Sequence, residues 1–245
     1  MIVDCGSCSL ADLCLPRGLT RMELAQVERA IERTIKVRKK DFLFRRDDPQ
    51  HAIYAVKSGA LKASVSTADG EEQILGFYLP GDLLGFDAMA SSRHSCDAQA
   101  LDDALVCELK MADFSELCGS LSSLRVQMMR KMGGEIERDH QLLLSLGQMR
   151  TEERLATFLA GLSERNQSRG FSAREFNLPM PRGDLANYLG MAVETLSRMF
   201  SRLQADEVIS VQQRLVTIHD FERLKGMAHQ HCRHSLRAAD GEAAA

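Results

Sequence analysis

Between residues 41 and 110 turn-forming pairs recur at short intervals: Asp47-Asp48-Pro49, Ser58-Gly59, Asp69-Gly70 and Pro80-Gly81, with brief alternating apolar runs between them. This rhythm constrains the fold more than any other feature of the chain. The runs are too short for helices, and turns spaced so regularly join antiparallel neighbours, which predicts a small antiparallel barrel or sandwich. No alternation of strand and helix patterns is present, which argues against a parallel α/β sheet.

Helical patterning flanks this stretch. Residues 21–34 (RMELAQVERAIERT) put Met22, Leu24, Val27, Ala30 and Ile31 near one helical face. Residues 112–146 also carry a helical pattern, with the longer continuous piece starting near Leu124. Within it Met129, Met132, Ile136, Asp139 and Leu143 follow 3-4-3-4 spacing, a coiled-coil seam with one acid at a core position. The seam is covered either by a second copy of the chain or by packing within one chain. Gly133-Gly134 weakens the helix by about 1 kcal/mol per glycine relative to alanine. In a parallel dimer Asp139 faces its own symmetry copy, and two carboxylates at one seam repel, unless the side chain turns to solvent. Pairing of that kind is marginal, so Met132, Ile136 and Asp139 are the expected dimer switch.

Helical patterning returns from residue 151. The 20 residues RGDLANYLGMAVETLSRMFS, Arg182 to Ser201, fit two helices joined by a turn. Ala186 is small where the helices cross, and Gly190 stands four residues later, where the turn needs a residue tolerant of positive φ. Leu185, Leu189, Val193, Leu196, Phe200 and Leu203 supply the buried faces. The second helix then exposes Glu194, Thr195, Ser197 and Arg198 near its N-terminal end. In a DNA major groove arginine pairs bidentately with guanine, glutamate accepts from cytosine, and serine bonds either. The strand-like pair Val208–Val211 and Leu215–Ile218 is placed as a wing.

Charge adds nothing: from Thr151 to Lys225 there are ten Lys/Arg and ten Asp/Glu, and the whole chain carries −3. The first residues, MIVDCGSCSL, carry no secretory signal pattern, and no apolar run reaches the ~20 residues of a membrane helix. Seven cysteines in such a chain point to a reducing, cytoplasmic setting and to metal or redox chemistry rather than a disulfide framework. Cys5, Cys8 and Cys14 put three soft donors on one short segment broken by Pro16 and Gly18. Three thiolates do not close a site, and Cys96, Cys107, Cys118 and Cys232 are candidates for the fourth. Spacing chooses neither among them nor between zinc and an iron–sulfur cluster.

With these features together, the chain resembles the FNR/Anr branch of the Crp/Fnr superfamily, bacterial anaerobic regulators, from about Cys5 to Leu224. The segments that carry the resemblance are CGSCSLADLC, GEEQILGFYLPGDLLGFDAM, AQALDDALVCEL and GFSAREFNLPMPRGDLANYLGMAVETLSRMF. The resemblance implies an α+β chain: an N-terminal antiparallel β-roll (a cupin-like jelly roll) as sensor, a long dimerisation helix and a C-terminal winged helix-turn-helix. It implies that Cys107 joins Cys5, Cys8 and Cys14 around an oxygen-labile 4Fe-4S cluster. It implies a homodimer in which Glu194, Ser197 and Arg198 read TTGAT-type half-sites of an inverted repeat in double-stranded DNA, controlling genes for anaerobic metabolism. Oxygen would then shrink the cluster, loosen the dimer and release DNA. A zinc or haem centre in the same architecture is the alternative.

The expected divisions are a Cys-rich cluster-binding segment over 1–20, the β-roll over 21–111, the dimerisation helix region over 112–146, the winged helix-turn-helix over 147–225 and a flexible tail over 226–245. Relatives that bind cyclic AMP carry a phosphate-binding Arg-Ser pair; here His94-Ser95 stands in its place and Phe86 follows Gly85, which argues against cyclic-nucleotide sensing. The loop Thr67–Gly70 resembles regions that touch RNA polymerase in relatives. The run Lys36, Arg38, Lys39 and Lys40 is expected to be ordinary solvated surface. Cys96 and Cys118 have no role carried over, nor has Cys232, which stands in the tail sequence HQHCRHS. No P-loop, G-x-S-x-G or H-E-x-x-H pattern is present, and no enzyme is expected.

Overall fold

The computed structural model describes Cys5, Cys8, Leu10, Cys14 and residues 19–228, leaving aside the side chain of Glu32. Cys232 and the expected tail beyond Ala228 lie outside the described residues. The architecture is the α+β arrangement expected: an antiparallel roll, a long helix and a winged helix-turn-helix. The chain divides into two compact units, 1–139 and 140–245, with the division inside the long helix.

In the first unit, helix α1 (Arg21–Ala30) is opened by Thr20, whose hydroxyl accepts from the Glu23 N–H while the Glu23 carboxylate accepts from the Thr20 N–H, a reciprocal cap. The helical pattern predicted through Thr34 stops at Ala30. The β-branched residues Ile31, Thr34, Ile35 and Val37 belong instead to strand β1 (Ile31–Val37), whose backbone groups pair with a later strand. Val27 is fully buried, but Met22, expected on the same face, is 79% exposed because it sits in the first turn.

The roll continues through β2 (Phe42–Phe44), β3 (Ala52–Ser58), β4 (Leu61–Ser66), β5 (Glu72–Tyr78), β6 (Leu83–Leu84), β7 (Asp97–Ala100) and β8 (Ala104–Lys110). Two four-stranded antiparallel sheets result, ordered β1-β8-β3-β6 and β2-β7-β4-β5. Val37, Phe44, Tyr54, Leu61, Leu84 and Val106 fill the space between them. At the β3–β4 turn Gly59 has φ +79°, and a Cβ there would lie 2.5 Å from the Asp103 carbonyl oxygen, so only glycine fits.

Helix α2 (Met111–Ser120) and the start of α3 (Ser122–Gln148) pack back on the roll, separated by an extended Leu121. Leu117, Leu121, Leu124 and Met128 share a core with Val27, Ile53 and Leu109.

The second unit holds the end of α3, then α4 (Thr151–Ser168), β9 (Glu175–Asn177), α5 (Arg182–Tyr188), α6 (Val193–Ala205), β10 (Ile209–Gln212), β11 (Leu215–Ile218) and α7 (Phe221–Ala228). The wing is a three-stranded sheet ordered β10-β11-β9, with β9 added to the predicted pair.

Candidate functional site

Helices α5 and α6 are joined by a turn through Leu189–Ala192. Gly190 there has φ +61°, and a Cβ would meet Leu146 Cδ2 at 2.7 Å, so both conformation and space call for glycine. Leu185, Ala186 and Leu189 are buried on one side, and Leu196, Phe200 and Leu203 on the other. Val193, expected inside, is 42% exposed: it is the first residue of α6, and the buried stripe begins one turn later.

The opposite face of α6 presents Glu194, Ser197 and Arg198, all exposed, with Thr195 half-buried between them. Arg198 Nη2 donates to Thr195 Oγ1 at 3.4 Å, which biases the guanidinium along the helix without spending its other donors. Beneath the helix, Arg182 stacks its guanidinium over the Phe200 ring at 3.4 Å. Its buried Nη1 has no hydrogen-bond partner, and burial pulls the pKa down. Nothing in the sequence pattern pointed to that stacked arginine.

The cysteine centre lies in the first unit. Cys5 is buried in the core formed by α1, α2, the roll and α3, and Cys14, Cys107 and Cys118 pack against the same core. The Cys5 N–H donates to Glu28 Oε1 at 2.8 Å, a tether from α1 that sequence spacing did not reveal. Cys107 stands on β8 opposite Thr34 of β1 and Ala55 of β3, so a central strand fixes its position. Burial pushes the Cys5 thiol up to about 12, and the negative charges of Cys14, Cys107, Glu28 and Cys8 push it in the same direction. Burial also raises the Cys107 pKa, which Lys57 lowers and Cys8 raises further. Cys5, Cys14 and Cys107 thus share one core. None of the six described cysteines is in a disulfide. Among the described residues no group of three or more His, Cys, Asp or Glu is arranged as a metal-ion site. The donor set suits a thiolate-bound centre in chemistry and neighbourhood, without forming a finished coordination shell.

On α3, Met129 is 67% exposed, Ile136 55% and Leu143 67%, and Asp139 is exposed beside them; Met132 is half-buried. Val126 extends the same apolar face. One side of the helix is therefore covered by the roll near Leu124 and Met128, while the predicted seam is bare except at Met132.

A family model described as a Crp-like helix-turn-helix domain matches residues 153–227, and one described as a cyclic nucleotide-binding domain matches residues 34–120. The "Anaerobic regulatory protein" of Haemophilus influenzae is 46% identical over 222 residues, covering 91% of this chain and 86% of that protein. The chain belongs to the FNR-type regulators of the Crp/Fnr family. The "Fumarate and nitrate reduction regulatory protein" of Escherichia coli is 43% identical over 226 residues, covering 92% of this chain and 90% of that one. Among solved structures, FixK2 from Bradyrhizobium japonicum superposes with a TM-score of 0.74 at 28% identity, covering 80% of this chain and 96% of that one. Its FNR-type relatives are transcription regulators, and the Crp-like domain makes this chain a DNA-binding one.

In the roll of this family member, His94 is buried and stacks on Phe44, with ring centroids 3.6 Å apart and planes 11° from parallel. His94 Nδ1 lies 3.2 Å from Asp87 Oδ1, and Asp87 Oδ2 accepts from the Ser95 N–H at 2.8 Å and the Cys96 thiol at 3.6 Å. Burial opposes ionisation of Asp87, but these partners outweigh it and hold the carboxyl below its usual range. Burial, then the charge of Asp87, pushes the Cys96 thiol far up, so it is a hydrogen-bond donor and not a reactive thiolate. The Thr67–Gly70 tip is an exposed turn closed by Gly70 N–H to Thr67 O at 3.0 Å. Lys39, from the basic run, is paired with Asp102 at 3.0 Å. No described helix is long and apolar enough to cross a membrane.

Proposed function

We propose that the chain is a cytoplasmic oxygen-sensing transcription regulator in which Cys5, Cys8, Cys14 and Cys107 hold an oxygen-labile 4Fe-4S cluster. The homodimer reads TTGAT-type inverted repeats through Glu194, Ser197 and Arg198 and controls genes for anaerobic metabolism, with RNA polymerase as a partner through surfaces such as the Thr67–Gly70 tip. The observation that carries this reading is the shared core in which Cys5 is buried and against which Cys14 and Cys107 pack. The full-length likeness to proteins named as anaerobic regulators supports it.

When bound, the cluster supplies the oxygen-reactive iron chemistry that thiols lack. The residues do the rest. Cys107 offers a fixed anchor on β8, while Cys5 is tied to α1 through Glu28. The bare seam of Met129, Ile136 and Leu143 supports pairing of two chains, and Asp139 at the same face keeps that pairing weak. His94 is already committed to Phe44 and Asp87, which supports the absence of cyclic-nucleotide sensing.

Anaerobic purification and a visible spectrum test the assignment. Broad brown absorbance that bleaches in air is expected. A sharp Soret band would replace it with haem, and a colourless, metal-loaded protein would replace it with zinc.

A further inference from the structure

Arg154, near the start of α4, donates four side-chain hydrogen bonds, all to backbone carbonyls. Its Nε donates to Met149 O at 3.0 Å and its Nη2 to Leu146 O at 2.9 Å. Its Nη1 donates to Leu189 O at 3.0 Å and Gly190 O at 3.2 Å. Leu146 and Met149 sit at the end of α3, and Leu189 caps α5, so both pairs of carbonyls are groups that a helix C-terminus leaves unpaired. One planar guanidinium thus closes two helix ends at once, with its charge at the negative end of both dipoles. The contact below it is tight: Leu146 Cδ2 occupies the space that any Cβ at Gly190 would need. Helix α6 begins at Val193, immediately beyond this turn, and is tied a second time to α4 by the Arg202–Glu152 ion pair.

The same stretch of α3 carries the distal part of the exposed seam. Leu143, 67% exposed, lies just ahead of Leu146, whose carbonyl Arg154 holds. One face of these turns is bare for a second chain, while the end of the helix is bolted to the turn between α5 and α6.

We propose that Arg154 is the positioning residue that sets the spacing and angle of the two recognition helices in the dimer, by clamping the turn of each reading head to the end of its own α3. This rests on the dimeric DNA-binding reading above. Arg154 touches no base or phosphate in this role; it acts through Leu189 and Gly190. A two-site grip on one duplex depends on both heads being held at the separation of the half-sites, and a loosened head loses effective concentration for the second half-site while keeping its affinity for the first.

The test uses full-length wild type, Arg154→Gln and Arg154→Lys at concentrations where sedimentation shows the dimer. Binding is measured to three duplexes: the inverted repeat, a single half-site, and the repeat with one base pair added between the half-sites. Thermal denaturation reports folding. For Arg154→Gln, affinity for the inverted repeat should fall about 10- to 100-fold while single half-site affinity stays within about twofold. The penalty for the added base pair should shrink. Arg154→Lys should be intermediate, because one ammonium cannot span carbonyls on two helix ends. Leu146→Ala removes the side chain under the turn but leaves every hydrogen-bonding group, and it should give the same pattern more weakly even if Arg154→Gln folds poorly. Equal losses on the half-site and the repeat in both variants, or no loss on either, would overturn the clamp. Failure of the wild type to prefer the inverted repeat over the single half-site would instead overturn the dimeric reading, and the clamp with it.

Discussion

In the reading head, the side chains proposed to read DNA stand exposed on a helix whose other face is buried; at the cysteine centre, Cys5 lies in the core and Cys14 and Cys107 pack against it. The first site is complete without its ligand. Leu196, Phe200 and Leu203 hold α6, Gly190 fixes the turn, and Glu194, Ser197 and Arg198 wait at the surface. At the second, burial disfavours ionisation of Cys5 and Cys107, and a metal centre bound there would have to displace their protons. A module that reads a fixed partner is best served by rigidity, whereas one that reports the presence of a labile group must differ with and without it.

The largest test of this contrast is at the sulfurs. Cys107→Ser, after anaerobic reconstitution with iron and sulfide, is expected to lose the air-bleachable absorbance and, with it, binding to the inverted repeat, while Cys118→Ser keeps both. A wild-type spectrum from Cys107→Ser would remove Cys107 from the donor set. At the finished site the effects are graded: Arg198→Ala should weaken binding by about 1–3 kcal/mol and relax base choice at one position. A uniform loss across all sequences, measured by competition, would reassign Arg198 to a phosphate.

In the sequence the seam of α3 falls between the two sites, and smaller shifts are expected there. Asp139→Ala should tighten the metal-free dimer by about 1 kcal/mol, since it removes a carboxylate that faces its own copy. An unchanged dimer constant in sedimentation defeats that account. Gly134→Ala should add about 0.5–1 kcal/mol to the helix, because no atom lies within 4 Å of a Cβ built there. Its readout is a raised thermal midpoint, and a lowered one would mean that the glycine is needed for close approach.

The reading head was legible because its signals are local: helical spacing, a small residue at the crossing and a glycine at the turn, all within Arg182 to Ser201. The roll was legible from its turns for the same reason. What escaped depends on partners distant in the chain. The three residues of β9 become a strand only because β11 pairs with them, and Ile31 leaves the helix because β8 offers a ladder. Cys107 was one of four candidates by spacing; its place on a central strand, packed against the core that holds Cys5, follows from the pairing of β8 with β1 and β3. Arg154 was invisible because its partners are backbone carbonyls, which any sequence supplies.

The stack of His94 on Phe44 has a consequence for how such a roll changes over evolutionary time. The interior beside His94 is braced by the roll's own side chains, Phe44 on the ring face and Asp87 at Nδ1. Exchanging His94 for arginine alone would seat the new cation beside Asp87, answering an internal carboxylate before any visiting anion. Conversion to a nucleotide receptor would therefore take at least two coordinated changes.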